Sequence, residues 1–247
     1  MQAAILAGGM GTRLRPLTDK VPKTMVKVRG RPFLEHQIRL LKAGGVGEFV
    51  LCVGYRADQV TDHFGDGSKW GVRVRYSYDG PSLLGAAGAL KRAEGLLRDR
   101  FFVTYGDAYL RVDYRAMMEA FVASGRLGMM AVYHNRNRHG SSDLVVKDGA
   151  VVRYDKGAGG RGLEWINFGV SALRKAALES VPEGVEFGEE EFYGGLIRRG
   201  ELAAFPVRRR FYEIGTPAAL KEFERFLGSP KSTRRLSRRT SPRRDTS

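Results

Sequence analysis

Apolar residues along the first half of this chain follow two alternating periods. From Pro32 to Ala43, Phe33, Leu34, Ile38, Leu40 and Leu41 are set among Glu35, His36, Gln37, Arg39 and Lys42, and the pattern stops at Gly44-Gly45. That spacing predicts an amphipathic helix with a glycine end. Phe49 to Val53 is continuously apolar and predicts a buried strand, and Ala57 to Phe64 reads as a short helix. Val72 to Tyr76 alternates as a strand does, Ala86 to Leu97 predicts a further helix, and Phe101 to Tyr105 a further buried strand. Strands and helices taking turns in this way build a parallel sheet covered by helices on both faces, an α/β fold. Ligands of such sheets lie beyond the carboxyl ends of the strands, where Gly8 and Asp107 fall.

The second half is less regular. Met129 to Tyr133 continues the strands, and Asp143 to Val146 and Val151 to Tyr154 flank Asp148-Gly149 as a hairpin. Trp165 to Val170 predicts a strand, Glu189 to Arg199 a helix, Phe211 to Ile214 a late strand and Pro217 to Phe226 a closing helix. No internal repeat is visible.

Composition narrows the class. At 247 residues and 43% hydrophobic content the chain can fill a large core. Cys52, the sole cysteine, sits in an apolar strand, which excludes disulfides and thiolate metal clusters and suits a reducing, cytoplasmic setting. No apolar run reaches membrane-spanning length, so no membrane partner is expected. Of the net charge of +15, residues 229 to 247 carry +6, with seven basic residues against Asp245. Rich in Ser, Thr, Pro and Arg, that segment is expected to be a disordered basic tail. The rest has neither an aromatic-rich RNA motif nor a helix-turn-helix, so nucleic acid is not the expected partner. Its positive excess suits small anionic substrates.

The first strand runs into Leu6-Ala7-Gly8-Gly9-Met10-Gly11-Thr12-Arg13, with Pro22-Lys23 following. A glycine cluster ending in cations lets backbone approach a polyphosphate. It is not a Walker loop, which needs Lys-Ser/Thr where Thr12-Arg13 stands, nor a dinucleotide fingerprint, which needs a small residue at Leu14. The backbone N–H groups of Gly9 to Thr12 are placed to cradle phosphates, with Arg13 reaching their outer oxygens.

With Pro22-Lys23 and Gly30-Arg31-Pro32-Phe33, this segment resembles the signature of the sugar-1-phosphate nucleotidylyltransferases. The resemblance spans residues 1 to 227 and implies one catalytic domain with a Rossmann-like, mostly parallel sheet. Its nucleotide-binding half would cover about 1 to 110, its sugar-binding half about 111 to 227, and the tail 228 to 247. The implied partners are a nucleoside triphosphate and a sugar 1-phosphate, with Mg²⁺ as cofactor. A homo-oligomer is compatible with the resemblance.

Residue by residue, the resemblance makes Arg13 the group that stabilises departing pyrophosphate, and Lys23 the lysine on the α-phosphate and the incoming sugar phosphate. Gly106-Asp107 matches the family's metal carboxylate. Phe211-Tyr212-Glu213-Ile214-Gly215-Thr216-Pro217 matches a segment whose usual Asp is here Glu213, so a second metal ligand and a local hydrogen-bonding role both stay open. Leu84-Gly85-Ala86-Ala87-Gly88-Ala89-Leu90 resembles a Leu-Gly-Thr-Ala-Gly-Ala-Leu pattern seen in guanylyltransferases of mannose or heptose 1-phosphate. Leu6, Ala7 and Gly8, with Asp79, Gly85 and Gly88, would then meet the base, which other members also vary. Tyr154-Asp155-Lys156 resembles a Glu-Lys pair, so that Asp155 would contact sugar hydroxyls and Lys156 the sugar-linked phosphate. Asn167, in an Asn-x-Gly strand, would be a further sugar ligand. One of Glu189, Glu190 and Glu191 would face the sugar; the sequence does not say which.

Overall fold

The computed structural model describes residues 1–80, 84–157 and 162–230. Its elements run β1 (Gln2–Leu6), β2 (Lys27–Val28), β3 (Arg31–Pro32), α1 (Phe33–Ala43), β4 (Glu48–Val53), α2 (Ala57–Phe64), β5 (Arg73–Tyr78), α3 (Gly85–Arg92), β6 (Arg100–Tyr105) and β7 (Ala108–Tyr109). There follow α4 (Tyr114–Ser124), β8 (Gly128–His134), β9 (Leu144–Lys147), β10 (Ala150–Tyr154), β11 (Trp165–Arg174), α5 (Glu189–Arg198), β12 (Leu202–Val207), β13 (Tyr212–Glu213) and α6 (Pro217–Leu227).

Nine strands form one sheet in the order β5-β4-β1-β6-β11-β8-β12-β10-β9. The first four are parallel, Ala4 pairing with Val50 on one side and Val103 on the other. Beyond β6 the sheet is mixed: β11 is antiparallel to β6 and β8, and β12 runs parallel to β8. The chain moves outward from β1 through β4 to β5, then returns to the other flank of β1 at β6. That reversal opens a crevice at the carboxyl ends of β1 and β6, the usual ligand position in such sheets.

Helices cover both faces because the strands alternate two apolar faces. In β4, Phe49, Leu51 and Val53 join a core with Leu34, Ile38 and Leu41 of α1, Val60 and Phe64 of α2, and Met117 and Phe121 of α4. Val50 and Cys52 face the other way, into Ala87 and Leu90 of α3 and Phe192, Tyr193 and Leu196 of α5. Period-2 packing on two layers is what an apolar run buried on both faces encodes. The hairpin at Asp148-Gly149 forms as its sequence predicts, with φ of 48° and 71° at the two turn residues.

The helix expected over 86–97 ends earlier, at Arg92, and a 3₁₀ turn at Glu94–Leu96 contains Gly95. The two-residue strands β2, β3 and β7 had no counterpart in the sequence expectations, and neither had two longer elements, α4 and β12. The former is capped by Asp113, whose side chain accepts from the Ala116 N–H at 3.1 Å.

A third core ties the end of the described chain to its beginning. Phe223 and Phe226 of α6 pack with Leu14, Val26, Val28, Phe33 and Ile214. Thr216 caps α6 through the Ala219 N–H, and Pro217 opens its first turn. Burying two phenylalanines contributes about 2–3 kcal/mol each, which holds the segment from Glu213 to Gly215 against the loop carrying Arg13. The basic segment 231–247 lies outside the described residues, as does 158–161 beyond Lys156.

Candidate active site

The loop after β1 leaves its backbone donors open. Among the described residues, no N–H from Gly8 to Arg13 donates to a protein acceptor, while the loop's carbonyls are used: Gly8 accepts from Tyr55 N–H, and Gly11 from Leu14 N–H and the Thr18 hydroxyl. Gly11 has φ 64°, the left-handed conformation that turns the chain into the 3₁₀ turn Thr12–Leu14. At Gly8 the reason for glycine is space: a Cβ there would lie 2.1 Å from Asp79 Oδ2.

Beside this loop is a cavity of ≈ 320 Å³, walled by Leu6, Ala7, Gly8 and Gly9 on one side and Leu84, Gly85 and Ala86 on another, with Asp79 and Glu186. Asp79 is 8% exposed, and its Oδ1 is buried without a protein partner. Burial raises its carboxyl above the usual range, opposed by the Arg92 charge. Gly88 does not reach this cavity. It packs under the loop before α5, where a Cβ would stand 2.8 Å from the Val185 carbonyl oxygen.

A second cavity, of ≈ 290 Å³, is lined by Arg13, Asp143, Tyr154, Lys156, Ile166, Asn167, Phe168, Phe211, Glu189 and Glu213 among others. Tyr105 and Asp107 line both cavities. At this seam Lys23 Nζ donates to Asp107 Oδ2 at 2.6 Å, each side chain about one-fifth exposed. The short β7–β13 ladder sets Glu213 opposite Ala108, and Ile214 N–H donates to the Asp107 carbonyl at 3.0 Å. Three of the expected site side chains then meet over Gly215. A Cβ on that residue would lie 2.7 Å from Glu213 Oε2, 3.2 Å from Arg13 Nη2 and 3.6 Å from Asp107 Oδ2.

The electrostatics follow from that crowding. Burial raises the Glu213 carboxyl, and the like charge of Asp107 raises it further; Arg13, Lys23 and the Gly215 backbone pull the other way. Two carboxylates repelling each other across an open space suit a hard divalent cation, which takes oxygen ligands and completes its shell with phosphate and water. Asp107 and Glu213 are the residues that fit one. Among the described residues, no group of three or more His, Cys, Asp or Glu could hold a metal alone.

In the second cavity, Asn167 lies in a bulge of β11 between its pairings at Asn167 and Ser171. Its side-chain oxygen accepts from Gly169 N–H at 2.8 Å, and its own N–H donates to Asp143 Oδ1 at 2.9 Å. Asp143 is 8% exposed, and burial pushes its carboxyl up to about 6. Glu189 Oε1 accepts from the Tyr154 hydroxyl at 2.9 Å and from Lys156 Nζ, while Glu190 accepts from Lys156 N–H at 2.8 Å. Burial, with Glu190 alongside, raises Glu189 to about 7.

The geometry sorts the sequence expectations. Leu6, Ala7, Gly8, Gly9, Asp79 and Gly85 line the first cavity; Lys156 and Asn167 line the second; Lys23, Asp107, Arg13 and Glu213 gather between them. Asp155 is not in the second cavity: its carboxylate is turned to Arg153 at 2.6 Å. Strand alternation explains this, because Tyr154 and Lys156 face inward and the residue between them faces out. Asp143 takes a place in the cavity that the sequence did not assign, and Glu189 is the member of the acidic triplet that lines it. Gly11 and Thr12 shape the loop without lining either cavity. The histidines are apart from the site: His36 bonds the Val28 carbonyl, His63 stacks on Trp70 and His134 pairs with Glu164.

A family model described as nucleotidyl transferase matches residues 2–142. N-acetylmuramate alpha-1-phosphate uridylyltransferase of Neisseria meningitidis is 30% identical over 237 residues, covering 94% of this chain and 100% of that protein. Mannose-1-phosphate guanyltransferase of Emericella nidulans is 30% identical over 228 residues, covering 88% of this chain. This chain spans 61% of the length of that longer relative. D-glycero-alpha-D-manno-heptose 1-phosphate guanylyltransferase of Campylobacter jejuni is 28% identical, with 92% and 99% covered. The solved structure of HddC from Yersinia pseudotuberculosis complexed with GMP-PN matches with a TM-score of 0.73 at 29% identity, over 90% of this chain and 96% of that one. With a family model matching residues 2–142, more than half of the chain, and a relative 30% identical over nearly its whole length, the chain belongs to the nucleotidyl transferase family.

Proposed function

We propose that the protein transfers a nucleoside monophosphate from a nucleoside triphosphate to a sugar 1-phosphate, with GTP and a mannose- or heptose-type sugar 1-phosphate as the preferred pair. The observation that carries this is the seam: Asp107 and Tyr105 border both cavities, and Lys23 is ion-paired to Asp107 there. A reaction joining two bound molecules needs such a shared wall, with its charges at the point of contact.

In the step, a phosphate oxygen of the sugar phosphate attacks the α-phosphorus, the bond to the β-phosphate breaks, and pyrophosphate leaves. No protein nucleophile is needed; the work is to bring anions together and hold the charge that develops. Lys23 neutralises the α-phosphate and the incoming phosphate from the seam. Arg13 and the open N–H groups of the loop receive the departing pyrophosphate. Asp107 and Glu213 would hold Mg²⁺, which supplies Lewis-acid neutralisation of phosphate oxygens when bound. Lys156, fixed by Glu189 and Glu190, supports the sugar-linked phosphate, and Asn167 a sugar hydroxyl.

For the base, the support comes from acid side chains. Asp79 Oδ1 is buried without a donor, and Glu186 borders the same cavity. Guanine offers N1–H and an exocyclic amine on one edge, whereas uracil offers a single N–H between two carbonyls that a carboxylate repels. The names of the Emericella and Campylobacter relatives, and the GMP-PN bound in the Yersinia structure, fit that preference, and the Neisseria name fits uridylyl transfer as the alternative. Both substrates are cytoplasmic metabolites, and we place the protein there. Among the described residues, no helix is long and apolar enough to cross a membrane.

The test is a pyrophosphate-release screen crossing GTP, UTP, CTP, ATP and dTTP with mannose, heptose and glucose 1-phosphates. Release that needs both partners and is fastest with GTP and a manno-configured sugar supports the proposal. A faster uridylyl reaction would correct the base, and no release with any pair would refute the activity.

A further inference from the structure

Two acidic side chains remain in the second cavity after the phosphates and the cation have their partners. Asp143 is 8% exposed and anchored by Asn167 N–H at 2.9 Å. The Glu189 side chain is 11% exposed; Tyr154 and Lys156 hold its Oε1, and its Oε2 is buried with no protein partner. They share the ≈ 290 Å³ cavity with apolar Ile166, Phe168 and Phe211. A buried acceptor lacking a donor is costly, so its retention in an apolar wall points to a donor delivered by a ligand.

Resting on the nucleotidylyl transfer proposed above, we infer that Asp143 and Glu189 select the sugar: they accept hydrogen bonds from its hydroxyls and reject sugars that carry a carboxylate of their own. A neutral, hydroxyl-rich pyranose gives each acid a donor. Above about pH 7, where both acids are ionised, a uronic acid or a lactyl-ether acid would bring a third negative charge into an enclosed space where like charges are weakly screened. Among the described residues, the nearby cations have partners of their own. Lys156 is engaged by Glu189, Arg153 by Asp155 at 2.6 Å, and Arg210 by Glu222 at 2.7 and 3.1 Å. Arg13 stands at the phosphate end, over Gly215. The burial that raises both acids has the same origin as the selectivity, since the wall that desolvates them desolvates the sugar.

Matched sugar 1-phosphates test this: glucose against glucuronic acid, and N-acetylglucosamine against N-acetylmuramic acid. Binding is read by titration calorimetry, independently of turnover, and kcat/KM by pyrophosphate release. The neutral member of each pair is expected to bind at least about 100-fold more tightly. Asp143→Asn keeps an oxygen for Asn167 N–H, and Glu189→Gln one for Tyr154, so both variants preserve the local bonds. Each is expected to shrink the ratio about tenfold, chiefly by improving the acidic sugar. Equal or tighter binding of the acidic member, a ratio unmoved in both variants, or no binding of any of the four by the wild type overturns the inference. Selective binding without turnover of any pair would instead support selection by these acids while refuting the transfer reaction.

Discussion

Replacing Gly215 by alanine should disable the site while sparing the fold. Its φ is not in the left-handed region, so alanine is allowed there, and replacing glycine at such a site is worth about 0.4–1 kcal/mol of stability through the unfolded chain. The added Cβ, however, stands 2.7 Å from Glu213 Oε2 and 3.2 Å from Arg13 Nη2. Both are ends of movable side chains, so they yield rather than the backbone. Relief to an ordinary 3.4 Å contact moves the carboxylate oxygen by about 0.7 Å. Magnesium–oxygen bonds are held near 2.0–2.1 Å in a near-ideal octahedron, so a shift of that size removes Glu213 as a ligand. We therefore expect Gly215→Ala to unfold in urea within about 1 kcal/mol of wild type. Mn²⁺ affinity, followed by electron paramagnetic resonance, and kcat/KM should each fall about 10- to 100-fold, equivalent to about 1.4–2.7 kcal/mol. Wild-type Mn²⁺ binding in a folded variant would refute the convergence of Asp107 and Glu213 on one cation, and a collapse of stability would make Gly215 a determinant of folding instead.

Other outcomes follow from the same geometry. Lys23→Met removes the 2.6 Å partner of Asp107, leaving that acid facing Glu213 with one cation fewer; turnover should drop at least about 100-fold with a near-native melting temperature, and near-wild-type turnover would exclude Lys23 from the step. Asp143 carries a pH signature. Its folded value of about 6 lies above the 3.8 of an unperturbed aspartate, so between them the native state binds more protons than the unfolded one, and stability from this group is lost as pH rises through about 6. Asp143→Asn should therefore gain on wild type by up to about 3 kcal/mol between pH 4 and 8 in urea titrations. A difference that does not change with pH would contradict the burial of that charge.

Much of the fold was legible because its signals are local. The 3.6-residue pattern of α1, the apolar runs of β4 and β6 and the Asp-Gly turn each specify their element without help from distant chain. The missed β12 has a weak local signal: Leu202-Ala-Ala-Phe-Pro-Val is alanine-rich and holds a proline, and it becomes a strand through its pairing with β8. In α4, Tyr114, Met117 and Phe121 do fall on one buried face, with Asp113 and Gly125 at its ends, so a sequence signal existed there. The site shows the same division. Gly8, Lys23 and Asp107 could be read because a glycine loop and a strand end fix where they stand. Asp143 and the outward turn of Asp155 could not, because a register shift in β10 between Val151 and Arg153 and the bulge in β11 decide which side chains enter the cavity. Glu189 needed the packing of α5 on β10 to separate it from its two acidic neighbours.

The central claim is that a nucleotidyl group crosses the seam between the two cavities, and the fate of the α-phosphate tests it most directly. With α-³²P-labelled GTP, a sugar 1-phosphate and Mg²⁺, label should appear in a nucleoside diphosphate sugar, only when the sugar phosphate is present, and should be lost in Asp107→Ala. Label released as free nucleoside monophosphate, at a rate indifferent to the sugar phosphate, would contradict the account.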